Sequence, residues 1–287
     1  MPPTDQQAAG GVRPLAPHEF EQIRQLAHRT FGLDLRSGKE ELVSARLQRL
    51  LRAEGFRSFQ EYYRHVLEDR TGIALAAMVD ALATNHTAFL RERDHFDFLG
   101  EHAAELAEGR SSLEVWSAAC STGEEVWTLV CLLNDALPRH RIHITATDIS
   151  NKALRIAANA EYAAERCQEL PRAWLTRYFT AQGRSPASYQ VAPAFRAQVT
   201  FRRVNLVERL VTPQRYAVIF CRNVMIYFDR QTQEQVVRKL ADCIEPGGYL
   251  FVGHAEGLTG IEHTLQYVRP AIYRKPGKTG GRWNKSS

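Results

Sequence analysis

Between residues 111 and 275 the sequence alternates short apolar runs with helical segments, and this alternation constrains the fold more than any other feature. The apolar runs are candidate strands at 113–119, 142–148, 199–206, 216–224 and 249–256, with a final pair within 264–275. Strands that are apolar along their whole length are typical of a parallel sheet covered by helices on both faces. We therefore predict an α/β domain over 111–275. Pro270 splits the final pair, which predicts an antiparallel hairpin at the sheet's edge.

Two regions depart from this alternation. Residues 17–85 show helical periodicity throughout, with Ser58 and Thr71 as candidate helix starts, and they predict an all-helical N-terminal domain. Residues 86–110 are predicted to be a linker and a connecting helix. The stretch at about 178–198 has no helical period, and it predicts a small antiparallel β insertion between two elements of the main sheet.

The two ends of the chain are predicted to be disordered. Residues 1–16 form a short arm that lacks the apolar segment of a secretory signal. The net charge of +5 is concentrated in the last 14 residues, which contain five basic residues and no acids. Without those five, the chain has 32 basic and 32 acidic residues. The body is therefore neutral, the excess belongs to a Gly/Lys-rich tail (276–287 in the domain division), and a nucleic-acid substrate is disfavoured.

The cysteines and the hydropathy indicate the compartment. Five cysteines stand far apart with no CxxC pair, which argues against a disulfide framework and against a zinc site. No apolar stretch approaches the roughly 20 residues that a membrane-spanning helix requires. We therefore expect a cytoplasmic protein without membrane insertion.

Polar residues follow the carboxyl ends of the predicted strands, which is where ligands bind in an open parallel sheet. The first strand leads into Gly123, Glu124 and Glu125, and the second ends at Asp148, 25 residues after Gly123. An acid at that position is placed to accept hydrogen bonds from ribose hydroxyls. The third and fourth strands end with two further pairs, Asn205-Leu206 and Arg222-Asn223.

The turn after the first strand is poorly suited to a phosphate. Gly123 stands alone, so it cannot form the GxGxxG cradle, and two acids would repel a phosphate. A cationic ligand that carries a ribose and no phosphate fits better, and S-adenosylmethionine is such a ligand. The alternative is that Glu124 and Glu125 only complement the positive end of a helix.

Six stretches together resemble the CheR family of chemotaxis receptor methyltransferases. They are "ALATNHTAFLRERDHF" (81–96), "WSAACSTGEE", "ATDIS", "VNL", "IFCRNVMIYFDRQTQEQ" (219–235) and "PGGYLFVGHAE". The resemblance covers about residues 17–275 in the family's order and approximate spacing. It implies a Rossmann-like methyltransferase sheet with an inserted antiparallel β-subdomain, preceded by an all-helical domain.

The resemblance also implies an activity. Such an enzyme transfers a methyl group from S-adenosylmethionine to glutamate side chains of transmembrane chemoreceptors, giving glutamyl methyl esters and S-adenosylhomocysteine. By motif position, the residues that would line the cofactor site are Asn85, Thr87, Arg91, Glu125, Asp148, Asn205, Leu206, Arg222 and Asn223. Glu125 is preferred to Glu124 because the family assigns the second acid of its GEE run to the cofactor.

Arg91 and Tyr227 are the candidate catalytic residues, placed to orient the substrate carboxylate. That carboxylate is already ionised at neutral pH, so the transfer requires no general base and depends on alignment and electrostatics. The alternatives are that Arg91 forms an interface salt bridge and that Tyr227 is a packing residue. The chain departs from the family pattern at Val126-Trp127, where Pro-Tyr is usual, at Leu90, where Phe is common, and in "GHAE", where "GHSE" is usual.

Partner contacts follow from charge. At about 100° per residue, Arg46, Arg49 and Arg52 fall on one helix face that could dock on the acidic, helical cytoplasmic region of a receptor; the alternative is a solvated face. Some family members bind a receptor's C-terminal peptide through the β insertion, and the sequence leaves this open. We expect a monomer. His86, His95 and His254 match no ligand spacing, so no metal is predicted.

Two other functions compete with the methyltransferase reading. One is a non-catalytic adaptor on the same fold, which senses S-adenosylmethionine or binds a receptor-like partner. The intact set of strand-end residues disfavours it. The other is a methyltransferase for nucleic acids or small molecules, and the neutral body and the all-helical domain disfavour a nucleic acid.

Overall fold

The computed structural model describes residues 12–35, 38–83, 86–183, 185, 187–210 and 214–277. The chain divides into two compact units, Met1–Thr84 and Asn85–Ser287, one residue before the predicted end of the helical domain. Most of the predicted N-terminal arm (residues 1–11) and of the predicted tail (residues 278–287) lies outside the described residues.

The described part of the first unit is helical, as predicted. Its helices are α1 (Pro17–Phe31), α2 (Glu40–Glu54), α3 (Phe59–Glu68) and α4 (Ile73–Leu82). Ser58 caps α3, since its side chain accepts a hydrogen bond from the backbone N–H of Glu61 at 3.2 Å. The start predicted at Thr71 is one residue early, because Gly72 occupies the N-cap of α4.

Each of these helices buries one apolar stripe. Leu47 and Leu51 of α2 are fully buried, as is Met78 of α4. Tyr62 of α3 is also buried, and its hydroxyl donates to the carbonyl oxygen of Ala74 at 3.2 Å. The first unit therefore has a hydrophobic core of its own.

The second unit contains all the described strands and the remaining helices. The helices are α5 (Arg93–Ala107), α6 (Glu124–Ala136), α7 (Asn151–Asn159), α8 (Arg172–Tyr178), α9 (Pro193–Arg196) and α10 (Arg230–Cys243). The strands are β1 (Ser112–Ser117), β2 (Arg141–Asp148), β3 (Glu161–Ala163), β4 (Phe179–Gln182), β5 (Ser188–Val191), β6 (Val199–Arg203), β7 (Tyr216–Cys221), β8 (Ile244–Val252), β9 (Gln266–Arg269) and β10 (Ile272–Arg274). Short 3-10 helices span Ala164–Cys167 and Met225–Tyr227.

The main sheet has seven strands in the order β6-β2-β1-β7-β8-β10-β9. The first five are parallel, and β10 is antiparallel to both β8 and β9. The predicted parallel sheet and its edge hairpin are therefore confirmed. The chain runs outward from β1 to β6 and then returns to β7 on the other side of β1. The switch point consequently lies between β1 and β7, where ligands bind in such sheets.

One strand of this sheet begins earlier than predicted. β8 begins at Ile244, which pairs with Tyr216, whereas the sequence predicts a start at residue 249. The register shifts between Tyr216 and Val218, and Pro246 to Gly248 are accommodated there. A proline and two glycines hide the first part of the strand in the sequence pattern.

A second, antiparallel sheet has the order β3-β5-β4. The predicted insertion at about 178–198 contains β4 and β5, which confirms a small antiparallel subdomain. It omits β3, whose residues pair with β5 from Glu161↔Gln190 to Ala163↔Ser188. A strand of three residues between a helix and a 3-10 helix is too short to give a periodic signal.

Helix α5 is part of the core of the second unit rather than a connecting helix. Phe96, Leu99 and Ala103 are buried in one cluster with Val115 of β1 and Leu129 of α6. Residues 86–110 are predicted to be a linker and a connecting helix. The helix is instead part of the core and covers one face of the sheet.

Part of the predicted basic tail is folded. Arg274 lies in β10 and forms an ion pair with Glu105 at 2.7 Å. The Nζ of Lys275 donates to the carbonyl oxygens of Ala241 and Ile244 at 2.7 and 2.9 Å. Of the five C-terminal basic residues, these two therefore lie in the second unit, inside the predicted domain boundary at residue 275, and the other three lie outside the described residues.

All five cysteines are buried and unpaired. Within the described residues, no helix combines the length and the apolar character needed to cross a membrane.

Leu47 and Leu42 of α2 test the core of the first unit. Leu47 is fully buried and Leu42 is 46% exposed. Leu47→Ala should lower the free energy of unfolding by about 2–5 kcal/mol, because it removes apolar contacts and leaves a cavity. Leu42→Ala, the same change on the exposed face, should alter it by no more than about 0.5 kcal/mol. Urea denaturation followed by circular dichroism measures both, and equal losses would contradict the assigned faces.

Candidate functional site

The turn between β1 and α6 holds an unusual backbone. Ser121 and Gly123 both have positive φ values, 49° and 96°. A Cβ atom on Gly123 would lie 2.7 Å from the hydroxyl of Tyr162 and 2.8 Å from the Cβ of Ala157. Glycine is therefore required here both by the backbone conformation and by the close approach of β3 and α7.

Asp148 joins the end of β2 to this turn. One carboxylate oxygen accepts from the backbone N–H of Ser121 at 2.8 Å, and the other accepts from that of Ser150 at 2.9 Å. Among the described residues, the buried hydroxyl oxygen of Ser121 has no hydrogen-bond partner. A carboxylate fixed at a strand end beside an unengaged hydroxyl is a donor and acceptor set that suits ribose hydroxyls.

The two acids of the turn have different surroundings. Glu124 is fully buried and accepts from the hydroxyl of Thr122 at 2.7 Å. It also forms an ion pair with Arg166, which follows β3. Burial raises the pKa of Glu124, although Thr122 and Arg166 oppose that effect. Glu124 therefore binds the turn to the small sheet.

Glu125 is directed toward the strand ends instead. Its carboxylate accepts from the hydroxyl of Ser117 at 2.7 Å and from Nη1 of Arg222 at 3.1 Å. Burial raises the pKa of Glu125 above its usual value even though both partners favour the ionised form. Of the two acids, Glu125 is the one beside the switch point, and the preference for it as the cofactor residue stays a prediction.

Arg222 links two carboxylates inside the unit. Its side chain is 2% exposed and forms ion pairs with Glu92 at 3.0 Å and with Glu125 at 3.1 Å. The guanidinium also lies 5.3 Å from the ring centre of Phe96 and 5.8 Å from that of Phe220. Two carboxylates face one guanidinium, so the group carries a net negative charge when both are ionised, and such a charge favours a cationic ligand.

Asn223 follows with a left-handed backbone, at φ 58°. Its side-chain amide donates to Glu92 at 3.0 Å, and its backbone N–H donates to Glu256 at 2.6 Å. Glu256 is buried and also accepts from the backbone N–H groups of Gly253 and Ile226 at 2.7 and 3.1 Å. Burial raises the pKa of Glu256 despite these hydrogen bonds. The ends of β7 and β8 are thereby held together.

The segment before α5 carries three predicted residues, of which Asn85 lies outside the described residues. Thr87 is half-buried. Arg91 is also half-buried, and its Nη1 donates to the carbonyl oxygen of His86 at 2.7 Å. The role of Arg91 toward a substrate and its alternative in an interface salt bridge both stay predictions.

The remaining predicted residues lie after β6 and β7. Asn205 closes a turn, since it accepts from the N–H of Val207 at 3.3 Å and donates to Glu208 at 3.0 Å. Leu206 is buried in an apolar cluster. Tyr227, in the 3-10 helix Met225–Tyr227, is half-buried against that same cluster. Their contacts with a cofactor or a substrate stay predictions.

Two of the departures from the family pattern are core substitutions. Val126 and Trp127 are fully buried, and the indole N–H of Trp127 donates to the carbonyl oxygen of Ala157 at 3.2 Å. These side chains point into the helix–sheet core. Leu90 takes a positive φ of 55°.

Sequence reasoning missed four residues that organise the site: Ser117, Glu92, Arg166 and Glu256. Glu92 and Glu256 lie in two of the motifs that carry the family resemblance, so their motif membership was a usable signal. Arg166 lies in no motif, and its pairing with Glu124 depends on the tertiary fold.

One group of potential metal ligands occurs among the described residues. Glu92, His95 and His254 each place a ligand atom within 4.8 Å of the others. Burial lowers the pKa of His95 to about 4, so its ring is neutral at physiological pH. We assign no metal to the group, because Glu92 already accepts hydrogen bonds from Arg222 and Asn223 and the adjacent guanidinium opposes a second cation.

Comparison with known proteins gives matches along nearly the whole chain. Residues 85–273 match the profile described as CheR methyltransferase, SAM binding domain, and residues 18–83 match that of the CheR methyltransferase all-alpha domain. The chain is 33% identical over 268 residues to the chemotaxis protein methyltransferase of Borreliella burgdorferi, covering 90% of this chain and 94% of that protein.

Two further relatives show similar coverage. Chemotaxis protein methyltransferase 2 of Pseudomonas aeruginosa is 36% identical over 259 residues, with 89% of this chain and 92% of that protein covered. The chemotaxis protein methyltransferase of Escherichia coli is 34% identical over 263 residues, with 90% and 91% covered.

Two glycines of one loop test the packing around Asn223. A Cβ on Gly253 would lie 2.6 Å from Nδ2 of Asn223 and 2.6 Å from a carboxylate oxygen of Glu256. Gly253→Ala should therefore lower the free energy of unfolding by about 1–3 kcal/mol through overpacking. Gly257 has no atom within 4 Å of an added Cβ, so Gly257→Ala should change it by no more than about 0.5 kcal/mol. Thermal unfolding compares the pair, and a neutral Gly253→Ala would contradict the close packing.

Proposed function

The chain belongs to the CheR methyltransferase family, and we propose that it methylates glutamate side chains of methyl-accepting chemotaxis receptors, forming glutamyl methyl esters. The family's S-adenosylmethionine-binding domain spans residues 85–273, so the methyl donor is S-adenosylmethionine. The observation that carries the proposal is the cluster of Glu92, Glu125 and Arg222 at the switch point, together with Asp148 at the end of β2.

The donor atoms fit this cofactor. Asp148 supplies a fixed carboxylate for ribose hydroxyls, and Glu125 supplies a negative charge for the ammonium group. Neither Gly123 nor its neighbours provide a phosphate cradle, and the cofactor carries no phosphate. Asn85, Thr87, Arg91, Asn205, Leu206, Arg222 and Asn223 complete the proposed site, with Arg222 acting from a buried position through its carboxylate partners.

The bound cofactor supplies an electrophilic methyl group on a sulfonium centre. The chain's own residues need only bind, align and exclude water, since a glutamate carboxylate is ionised at neutral pH and attacks without a general base. We propose that Arg91 and Tyr227 orient that carboxylate, Arg91 through its positive charge and Tyr227 through its hydroxyl. Alignment and electrostatic positioning then account for the rate enhancement.

The competing functions have less support. A non-catalytic adaptor that only binds a receptor would not need the strand-end groups, whereas Glu125, Asp148 and Asn223 are all present and held by hydrogen bonds. A nucleic-acid substrate would require a basic surface, and apart from its last 14 residues the chain carries equal numbers of basic and acidic residues.

The activity is tested with radiolabelled S-adenosylmethionine and membranes that contain a chemoreceptor. Wild-type protein should place a base-labile label on the receptor, because glutamyl esters hydrolyse in base. Asp148→Asn should weaken cofactor binding by about 10–100-fold, since charge-assisted hydrogen bonds to the ribose are lost. Asp242→Asn, an exposed aspartate on α10, is the control and should bind as wild type does. Failure of the wild type to bind S-adenosylhomocysteine in calorimetry would refute the proposal.

The receptor-binding surface is proposed on α2 of the first unit. Arg49 and Arg52 are exposed and free to approach acidic side chains of a receptor's cytoplasmic helices. Arg46 differs from them, because it is half-buried and its Nη1 donates to the carbonyl oxygen of Leu82 at 2.6 Å. We therefore propose that Arg49 and Arg52 dominate the docking and that Arg46 also secures the end of α4.

A monomer in the cytoplasm is sufficient for this reaction.

Charge reversal separates docking from cofactor binding. Arg49→Glu with Arg52→Glu should raise the KM for receptor about tenfold or more, because charge complementarity becomes repulsion, and should leave cofactor affinity unchanged. Arg29→Glu with Arg64→Glu is the matched control, since both arginines are exposed on other helices of the same unit. Equal effects of the two double variants on KM would argue against a docking face on α2.

A further inference from the structure

We propose that Glu92 is a positioning residue, which fastens the segment carrying Thr87 and Arg91 to the end of β7 and sets the charge that Glu125 presents to the cofactor. The inference rests on the proposed function and adds a residue that acts through its neighbours. Glu92 has no expected contact with cofactor or substrate. Its effect is exerted through Arg222, Asn223 and Glu125.

Two consecutive residues of the segment, Arg91 and Glu92, are held by contacts with the end of β7. One carboxylate oxygen accepts from the side-chain amide of Asn223 at 3.0 Å. The other accepts from Nε and Nη2 of Arg222 at 3.3 and 3.0 Å. The same Nη2 also donates to the carbonyl oxygen of Arg91. The carboxylate and the neighbouring carbonyl therefore bind one guanidinium together, and Arg91 is held at a defined distance from the strand end.

The backbone at Glu92 has an uncommon conformation that the surrounding structure must hold in place. Its φ is 56°, in the left-handed region, and Leu90 has φ 55°. Residues with side chains adopt this conformation only when the surrounding structure enforces it. Glu92 is also the N-cap of α5, but its side chain makes no capping hydrogen bond. Its carboxylate serves the strand end instead of its own helix.

The charge of Glu92 also acts on Glu125. The groups that face Glu125 are Ser117 from β1, Cys221 and Arg222 from the end of β7, Cys120 from the turn and Glu92 from the segment before α5. Arg222 divides its ion pairing between the two carboxylates. When the charge at position 92 is removed, Arg222 neutralises Glu125 alone, and less negative charge is left for the cofactor's ammonium group.

This arrangement gives Glu92 a pH signature. Burial raises the pKa of Glu125, and repulsion from Glu92 adds to that increase. Cofactor binding requires ionised Glu125, so affinity is complete above the raised pKa and is lost as the pH falls through it. Burial would also raise the pKa of Glu92, but hydrogen bonding from Asn223 and the charge of Arg222 outweigh it and lower the pKa. Glu92 therefore stays ionised while Glu125 titrates.

The test is calorimetric binding of S-adenosylhomocysteine to the full chain between about pH 5 and 8. Glu92→Gln keeps the size of the side chain and removes its charge. We expect an affinity about tenfold lower at pH 7.5, the order of one charge-assisted hydrogen bond. We also expect the acid loss of binding to begin at a lower pH than in the wild type, because a like charge next to Glu125 is gone.

Asp135→Asn is the matched control. Asp135 accepts from side chains of Trp174, Arg177 and Tyr178 at the opposite end of α6, so it resembles Glu92 in its number of partners. It should leave both the affinity and the pH profile unchanged. Glu92→Asp provides a second variant if Glu92→Gln does not fold. It retains the charge but shortens the reach, so the affinity should fall while the acid limb stays in place.

Each outcome of these binding measurements supports or contradicts the role assigned to Glu92. Wild-type affinity in Glu92→Gln or in Glu92→Asp would overturn the inference and leave the proposed function standing. Weaker binding by Glu92→Gln with an unmoved acid limb would identify a merely structural residue and also overturn it. No binding by the wild type would overturn the proposed function, and this inference with it.

Discussion

The polar end of the sheet depends on one buried guanidinium. Arginine does not lose its proton inside proteins, so Arg222 at 2% exposure requires carboxylates around it. Glu92 and Glu125 supply them from segments 130 and 97 residues away in the sequence. Removing both would leave the buried guanidinium without a counter-charge, and breaking a buried ion pair in this way typically costs about 3–5 kcal/mol. The three residues consequently form one ionic cluster. This cluster joins the ends of β1 and β7 to the segment before α5.

The sequence predicts those features that are local or that follow from topology. Continuous apolar runs indicate the parallel sheet, and the rule for strand ends then predicts that Glu125 and Asp148 lie along its carboxyl edge. The three-residue strand β3 leaves no periodic signal of its own, and the apolar stripe of α5 does not specify which elements it packs against. Partners such as Arg166 and Glu256 are equally hidden, because a hydrogen bond between distant segments is fixed by the tertiary fold and not by spacing.

The turn after β1 is also secured by the small sheet. The hydroxyl of Tyr162 on β3 donates to the carbonyl oxygen of Thr122 at 2.7 Å, and Arg166 donates to the hydroxyl of Thr122 at 3.2 Å. Arg166 also lies 5.7 Å from the ring centre of Tyr162. The strand that the sequence pattern does not show is thus the one that supports the turn from its outer side, so the inserted subdomain contributes directly to the geometry of the site.

The two neighbouring acids give this turn a further property. Successive residues of a helix point about 100° apart, so Glu124 reaches Arg166 while Glu125 reaches Arg222. The length of the connection from β1 to α6 therefore determines which glutamate faces which arginine. Inserting one residue would rotate the helix by one step, so that Glu124 would point toward Arg222 and Glu125 would turn away from both arginines. Length variation among chains of this architecture should therefore spare this connection, even where the residues within it differ.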